Sequence, residues 1–146
     1  MRKISDIMST DCITVSPQSN INEAAKMMRD HDIGFLPVID GGKLIGVVTD
    51  RDLVVRGYAN DQSGSSSVKE VLSGNVRSIS RNMSIDEAAS LMSAEQIRRL
   101  PVVENGELIG ILSIGDLATR DIFVSEAGEA LSQISEQDGS QSNFAH

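Results

Sequence analysis

Two four-residue stretches carry the groups best suited to chemistry. Thr49-Asp50-Arg51-Asp52 and Ser113-Ile114-Gly115-Asp116 each place a hydroxyl and, three residues later, a carboxylate. Both read as strand-to-helix junctions, where backbone N–H groups and the positive end of the helix dipole suit a phosphate. A hydroxyl there donates to a phosphate oxygen, and a carboxylate accepts from both hydroxyls of a ribose. The same spacing is that of a capping box, which needs no ligand; the two readings are compatible, since Thr49 can cap a helix and still touch a ligand. Arg99, with Arg98 beside it, offers a planar fork of donors that matches phosphate oxygens. Arg51 is a second cation, next to the first stretch.

An internal repeat positions these groups. Ile33-Gly34-Phe35-Leu36-Pro37-Val38-Ile39-Asp40-Gly41-Gly42-Lys43-Leu44-Ile45-Gly46 matches Ile97-Arg98-Arg99-Leu100-Pro101-Val102-Val103-Glu104-Asn105-Gly106-Glu107-Leu108-Ile109-Gly110 at an offset of 64 residues. The offset also pairs Ile21 to Ala25 with Ile85 to Ala89, and Asp52-Leu53 with Asp116-Leu117. From Ile7 to Arg56 no gap is needed, and roughly 18 of about 50 positions are identical.

Each copy predicts the same elements. An extended piece ends at Thr14-Val15-Ser16 or Ser78-Ile79-Ser80. A helix follows, with Asn20 or Ser84 as N-cap and Glu23 or Glu87 completing a capping box. Two strands, Leu36 to Ile39 and Leu44 to Thr49, flank Asp40-Gly41-Gly42-Lys43, which has hairpin-turn chemistry; Glu104-Asn105-Gly106-Glu107 plays that part in the second copy. The strands are nearly continuous apolar runs, which predicts burial of both faces. Pro37 and Pro101 predict an edge or a strand entry. A last helix starts near Asp50 and near Ile114. Residues 59–67, rich in Ser, Asn and Gly, read as a flexible linker or exposed loop. A unit of this size does not easily sustain a core by itself, so the two copies are expected to pack on each other about a pseudo-two-fold axis. After Arg120, Val124 to Ser135 has the spacing of one more amphipathic helix, and the end to His146 has a disordered composition.

Composition narrows the function. Of 146 residues 40% are hydrophobic, yet there is no Trp, one Tyr and three Phe, so the core is aliphatic. The formal net charge is −8, and no Lys/Arg run interrupts it, which argues against nucleic acid and anionic membrane surfaces as partners. One cysteine, Cys12, excludes an intrachain disulfide. With His31 and His146 as the histidines, no metal site is expected. No stretch has the length of a membrane span, and the first residues lack the apolar core of a signal peptide, so a cytoplasmic location is expected. There is no Ser-His-Asp set, Cys-His pair or P-loop, which argues against an enzyme.

The segments Ile33 to Asp40 with Leu44 to Leu53, and Ile97 to Glu104 with Leu108 to Leu117, resemble the cystathionine-β-synthase-type (CBS) domain, and the tandem pair resembles a Bateman module. The resemblance implies an α/β (α+β) fold of two tandem βαββα repeats: repeat 1 over residues 1–58, a linker over 59–67, repeat 2 over 68–121, and a short helix and tail over 122–146. It implies a regulatory, non-catalytic module of the stand-alone bacterial type that binds AMP, ADP or ATP in clefts between the repeats, forms a homodimer and acts on a protein effector. It assigns phosphate and ribose contacts to Thr49, Asp52, Ser113 and Asp116, and a phosphate contact to Arg99. Phe35 stands at the matching place in the first copy, where Arg51 is the substitute cation. Thr14, Ser16, Pro37, Ser78, Ser80 and Pro101 fall where members line the base pocket. A ligand-independent interaction or dimerisation scaffold, or an S-adenosylmethionine or NAD-like ligand, are the alternatives.

Overall fold

The structure, a computed structural model, describes residues 3–118. The helix expected over Val124 to Ser135 and the tail to His146 lie outside the described residues. The chain divides into two compact units. One holds Cys12–Arg77 with Asn105–Leu108, and the other holds residues 3–11, Ser78–Glu104 and 109–118. The first-repeat and second-repeat units take their names from the long helix each contains, Ile21–His31 and Ile85–Glu95.

In the first-repeat unit, helix α2 (Ile21–His31) starts at Asn20, whose Oδ1 accepts from the Glu23 N–H at 2.8 Å. Glu23 Oε1 accepts in return from the Asn20 N–H at 2.8 Å, so two otherwise unpaired amides are satisfied. Strands β1 (Phe35–Asp40) and β2 (Lys43–Thr49) form an antiparallel hairpin in which Phe35 pairs with Thr49 and Pro37 with Val47. The turn needs left-handed backbone, and Gly41 and Gly42 supply it with φ of 58° and 84°. Val15 lies parallel to β1 on its other side, donating to the Pro37 carbonyl and accepting from the Ile39 N–H. The core joins Val15, Ala24, Met28, Leu36, Val38 and Val48 with Val68 and Val71.

The second-repeat unit repeats this plan. Helix α4 (Ile85–Glu95) is capped by Ser84 and Glu87. Strands β3 (Arg99–Glu104) and β4 (Glu107–Ser113) are hydrogen-bonded neighbours, and Asn105 and Gly106 turn between them at φ of 54° and 83°. Ile79 runs beside β3, donating to the Pro101 carbonyl and accepting from the Val103 N–H. The core gathers Ile79, Ile85, Ala88, Met92, Leu100, Val102, Leu112 and Leu117, and it is completed by Ile4 and Ile7 of the short helix α1 (Ile4–Ile7).

Each unit thus has its own core, closed by a segment the repeat arithmetic assigns to the other copy. Ile4 and Ile7 begin the first copy yet pack in the second-repeat core; their equivalents Val68 and Val71 begin the second copy yet pack in the first-repeat core. The backbone repeats the exchange. Ser73 exchanges both N–H···O bonds with Val47 of β2, and Ser9 does the same with Ile111 of β4.

One local expectation, burial of both strand faces, needs correction, and three others gain detail. Pro37 is the third residue of β1, an outer strand of its sheet as the proline predicts; its missing N–H faces the single bridge to Val15, so the β2 ladder loses nothing. Pro101 holds the same place in β3. The strands are not buried on both faces throughout, since Ile45 in β2 is 37% exposed. The helix after Thr49 is α only over α3 (Asp50–Asp52), then widens to a π-helix over Leu53–Gly57 and tightens to a 3-10 turn over Tyr58–Asn60. Finally, residues 59–67 form a loop tied down at its far end: Gly64 and Ser66 carbonyls accept from Asn22 and Ile21 at the start of α2, and the Ser67 hydroxyl donates to Pro17.

Candidate functional site

Strand alternation sorts the candidate residues onto one face of each unit. Val15, Leu36, Val38 and Val48 enter the first-repeat core, so Thr14, Ser16, Phe35, Pro37 and Thr49 occupy the alternate positions that point the other way. In the second-repeat unit Ile79, Leu100, Val102 and Leu112 are core, which leaves Ser78, Ser80, Arg99, Pro101 and Ser113 on the opposite face. Within each unit, an extended piece, a strand entry and a strand end therefore contribute to a common side, and the junction carboxylate follows directly.

Both junctions form reciprocal caps. Thr49 Oγ1 accepts from the Asp52 N–H at 3.1 Å, and Asp52 Oδ2 accepts from the Thr49 N–H at 3.0 Å. Ser113 Oγ accepts from the Asp116 N–H at 3.0 Å, and Asp116 Oδ2 accepts from the Ser113 N–H at 2.9 Å. Thr49 begins α3 and Ser113 begins α5 (Ile114–Ala118). Each carboxylate thus turns one oxygen back on its own main chain. A carboxylate offers about four lone-pair sites, of which the cap takes one. Asp52 is 8% exposed, and its second oxygen stands 3.8 Å from Nε of Arg56, whose Nη1 donates to the Leu72 carbonyl.

The remaining candidates serve differently. Ser16 and Ser80 hydroxyls each accept from the amide two residues on, at Gln18 and Asn82, and so shape the loops leading into α2 and α4. Ser78 and Ser80 are exposed, Thr14, Ser16 and Phe35 are half-buried, and Pro37 and Pro101 are buried. Arg51 and Arg99 are exposed. Among the described residues there is no cluster of three metal-ligating side chains.

Two features escaped the sequence reading. Arg56 reaches Asp52 because both lie on one helical turn, a spacing of four that was visible but not used. Asp50 is the larger omission. Its Oδ1 accepts from the Arg51 N–H at 2.8 Å, and its Oδ2 stands 2.6 Å from where a side chain at Gly34 would begin. In the second copy the matching residues are Ile114 and Arg98, and the Ile114 N–H donates to the Arg98 carbonyl, as the Asp50 N–H does to Gly34. Setting the two copies side by side at these positions was the available signal.

Comparison with known proteins identifies the family and the fold. The pattern of the CBS domain matches residues 4–57 and again 68–122. A CBS domain-containing protein, YhcV of Bacillus subtilis, is 43% identical over 137 residues, which covers 94% of this chain and 98% of that protein. The structure of CBSX2 in complex with AMP superimposes with a TM-score of 0.76 at 26% identity, over 86% of this chain and 99% of that one. The CBS domain pair of MJ0100, in complex with 5′-methylthioadenosine and S-adenosyl-L-methionine, gives 0.73 at 29% identity, over 86% and 98%.

Proposed function

The chain belongs to the CBS domain family, and from that premise we propose that it is a regulatory sensor of an adenine nucleotide, AMP, ADP or ATP. The observation that carries the reading is the pairing at each junction of a hydroxyl with a carboxylate, Thr49 with Asp52 and Ser113 with Asp116, the exposed Arg99 standing at the start of β3 in the second unit. The bound states of CBSX2 and MJ0100 support an adenosine ligand. Thr49 and Ser113 contact phosphate, Asp52 and Asp116 contact ribose, and Thr14, Ser16, Phe35, Pro37, Ser78, Ser80 and Pro101 border the base. The ligand acts by favouring one arrangement of the protein, and its leverage is limited to its differential affinity for the two states. In this reading the chain is a self-associating, non-catalytic module that works in the cytoplasm and passes the signal to a protein effector. A single cysteine, Cys12, suits a reducing compartment, and no helix among the described residues is long and apolar enough to cross a membrane.

Thermal melting and calorimetric titration with AMP, ADP and ATP test this. A ligand at a hundredfold excess over its Kd adds about 2.7 kcal/mol, a rise of several degrees in Tm for a chain of this size. Asp116→Asn keeps an acceptor for the Ser113 cap while weakening the ribose contact, so it is expected to fold normally and bind less tightly. Absence of heat and of any melting shift with all three nucleotides overturns the proposal. The double engagement of both carboxylates in caps favours the second reading, a ligand-independent interaction scaffold, which that negative result would leave standing.

A further inference from the structure

The Asp52 carboxylate is held from two sides. Its Oδ2 accepts from the Thr49 N–H at 3.0 Å, which fixes one end of the group. Its Oδ1 faces the Arg56 guanidinium, with Nε at 3.8 Å. That distance is too long for a hydrogen bond, so the cation attracts Oδ1 without occupying its acceptor sites. Arg56 is itself anchored. Its Nη1 donates to the Leu72 carbonyl at 3.1 Å, and the next residue, Ser73, exchanges both main-chain hydrogen bonds with Val47 of β2. The Asp52 side chain is 12% exposed, which lowers the screening of its charge, whereas Arg56 is half exposed. The sequence repeats the pair: Arg120 stands four residues after Asp116, outside the described residues.

We infer that Arg56 is a positioning residue for ribose recognition by Asp52, an inference that rests on the adenosine reading above. A guanidinium carries its donors in a planar fork, so one side chain spans Asp52 and the Leu72 carbonyl. The spared acceptor sites of Oδ1 receive the ribose hydroxyls. Because the carboxylate is ordered before the ligand arrives, the cost of immobilising it on binding is saved. Arg56 acts through Asp52 and touches no ligand atom. It therefore strengthens the binding of ligands that carry ribose hydroxyls over those that lack them. Any general attraction of its charge for a phosphate acts equally on both.

Nuclear magnetic resonance titration of the labelled full chain with AMP and with 2′,3′-dideoxy-AMP, read at the amides of Thr49 to Asp52, measures the preference for ribose hydroxyls at this junction. Arg56→Gln removes contacts of a half-exposed side chain and is expected to fold. It is expected to reduce the preference roughly threefold to tenfold, the scale of coupling between neighbouring groups. Asp52→Asn keeps an acceptor for the Thr49 cap but loses the charge through which Arg56 acts. Adding Arg56→Gln to Asp52→Asn is therefore expected to change AMP affinity no further. Arg56→Lys returns a cation beside Asp52 without the fork that also reaches Leu72, and is expected to recover part of the preference. Equal weakening of both ligands by Arg56→Gln, no weakening of either, or an undiminished effect in the Asp52→Asn chain overturns the inference while leaving the adenosine reading intact. Amides of the wild-type chain that stay unmoved under AMP overturn both.

Discussion

Gly46 is where the exchanged segments are most open to test. It lies in β2, and a Cβ there would stand 2.6 Å from the Ser73 carbonyl oxygen and 2.9 Å from Leu72 Cδ1. Ordinary contact begins at 3.4 Å, so the main chain at Ser73 must retreat by about 0.8 Å in Gly46→Ala. The two hydrogen bonds between Val47 and Ser73, 3.0 and 2.8 Å long, would then stretch beyond useful length. Two lost bonds at about 1 kcal/mol each, with the strain of moving buried backbone, come to about 2–4 kcal/mol. Reduced freedom of the unfolded chain returns about 0.5–1 kcal/mol. The net cost is about 2 kcal/mol, or roughly 5–8 °C in Tm. Gly110→Ala is the matched control: its closest neighbours are Sδ and Cγ of Met8, a side chain able to swing aside, and the Ser9 carbonyl oxygen stands at 3.1 Å, so a smaller backbone shift and a smaller cost are expected. Thermal unfolding followed by circular dichroism reads both variants. A Gly46→Ala chain as stable as wild type, or a Gly110→Ala chain that suffers more, would refute this assignment of the 72–74 segment to β2.

Ile7→Ala removes a side chain that is 4% exposed in the second-repeat core and is expected to cost about 2–4 kcal/mol. Hydrogen exchange should then accelerate in β3 and β4 more than in β1 and β2, and faster exchange confined to the first hairpin would contradict it. Gln96 ends α4 with φ of 60°, and its buried Oε1 has no hydrogen-bond partner among the described residues, so Gln96→Gly is expected to raise stability by about 0.5–1 kcal/mol. A lower denaturation midpoint would show that the amide contributes more than it costs. The hydrogen bond from Arg29 holds the Asp30 carboxyl below its ordinary value. Such a group adds stability above its unfolded pKa and loses it as pH falls through the folded one. This pair is fully exposed, so Arg29→Ala is expected to leave the acid-unfolding curve unmoved, and a shift toward higher pH would contradict that.

What the residues reveal by themselves follows the range of the interactions. Asn20 with Glu23, Ser84 with Glu87, and the Gly41-Gly42 and Asn105-Gly106 turns are settled within four residues, and all were legible. The junction hydroxyls and carboxylates were legible for the same reason, as caps first. The exchange of Ile4 and Ile7 for Val68 and Val71 was not, because an apolar pair at helical spacing states that it is buried and not in which core. The glycines at 46 and 110, inside otherwise branched apolar strands, were the signal of a close backbone approach. The widening at Leu53–Gly57 was hidden as well, since Val54, Val55 and Arg56 read equally well as α-helix. The approach of Asp50 to Gly34 was not legible either, because it joins two separate segments of the chain.

Residue-resolved nuclear magnetic resonance of the isotopically labelled full chain, titrated with AMP, addresses the nucleotide reading most directly. The account predicts that the amides of Ser78 to Ser80, Arg98 to Leu100 and Ser113 to Asp116 shift together along one saturating curve, and that the curve moves to higher AMP in Asp116→Asn. Unmoved amides at all three segments in a folded chain under saturating AMP would contradict it.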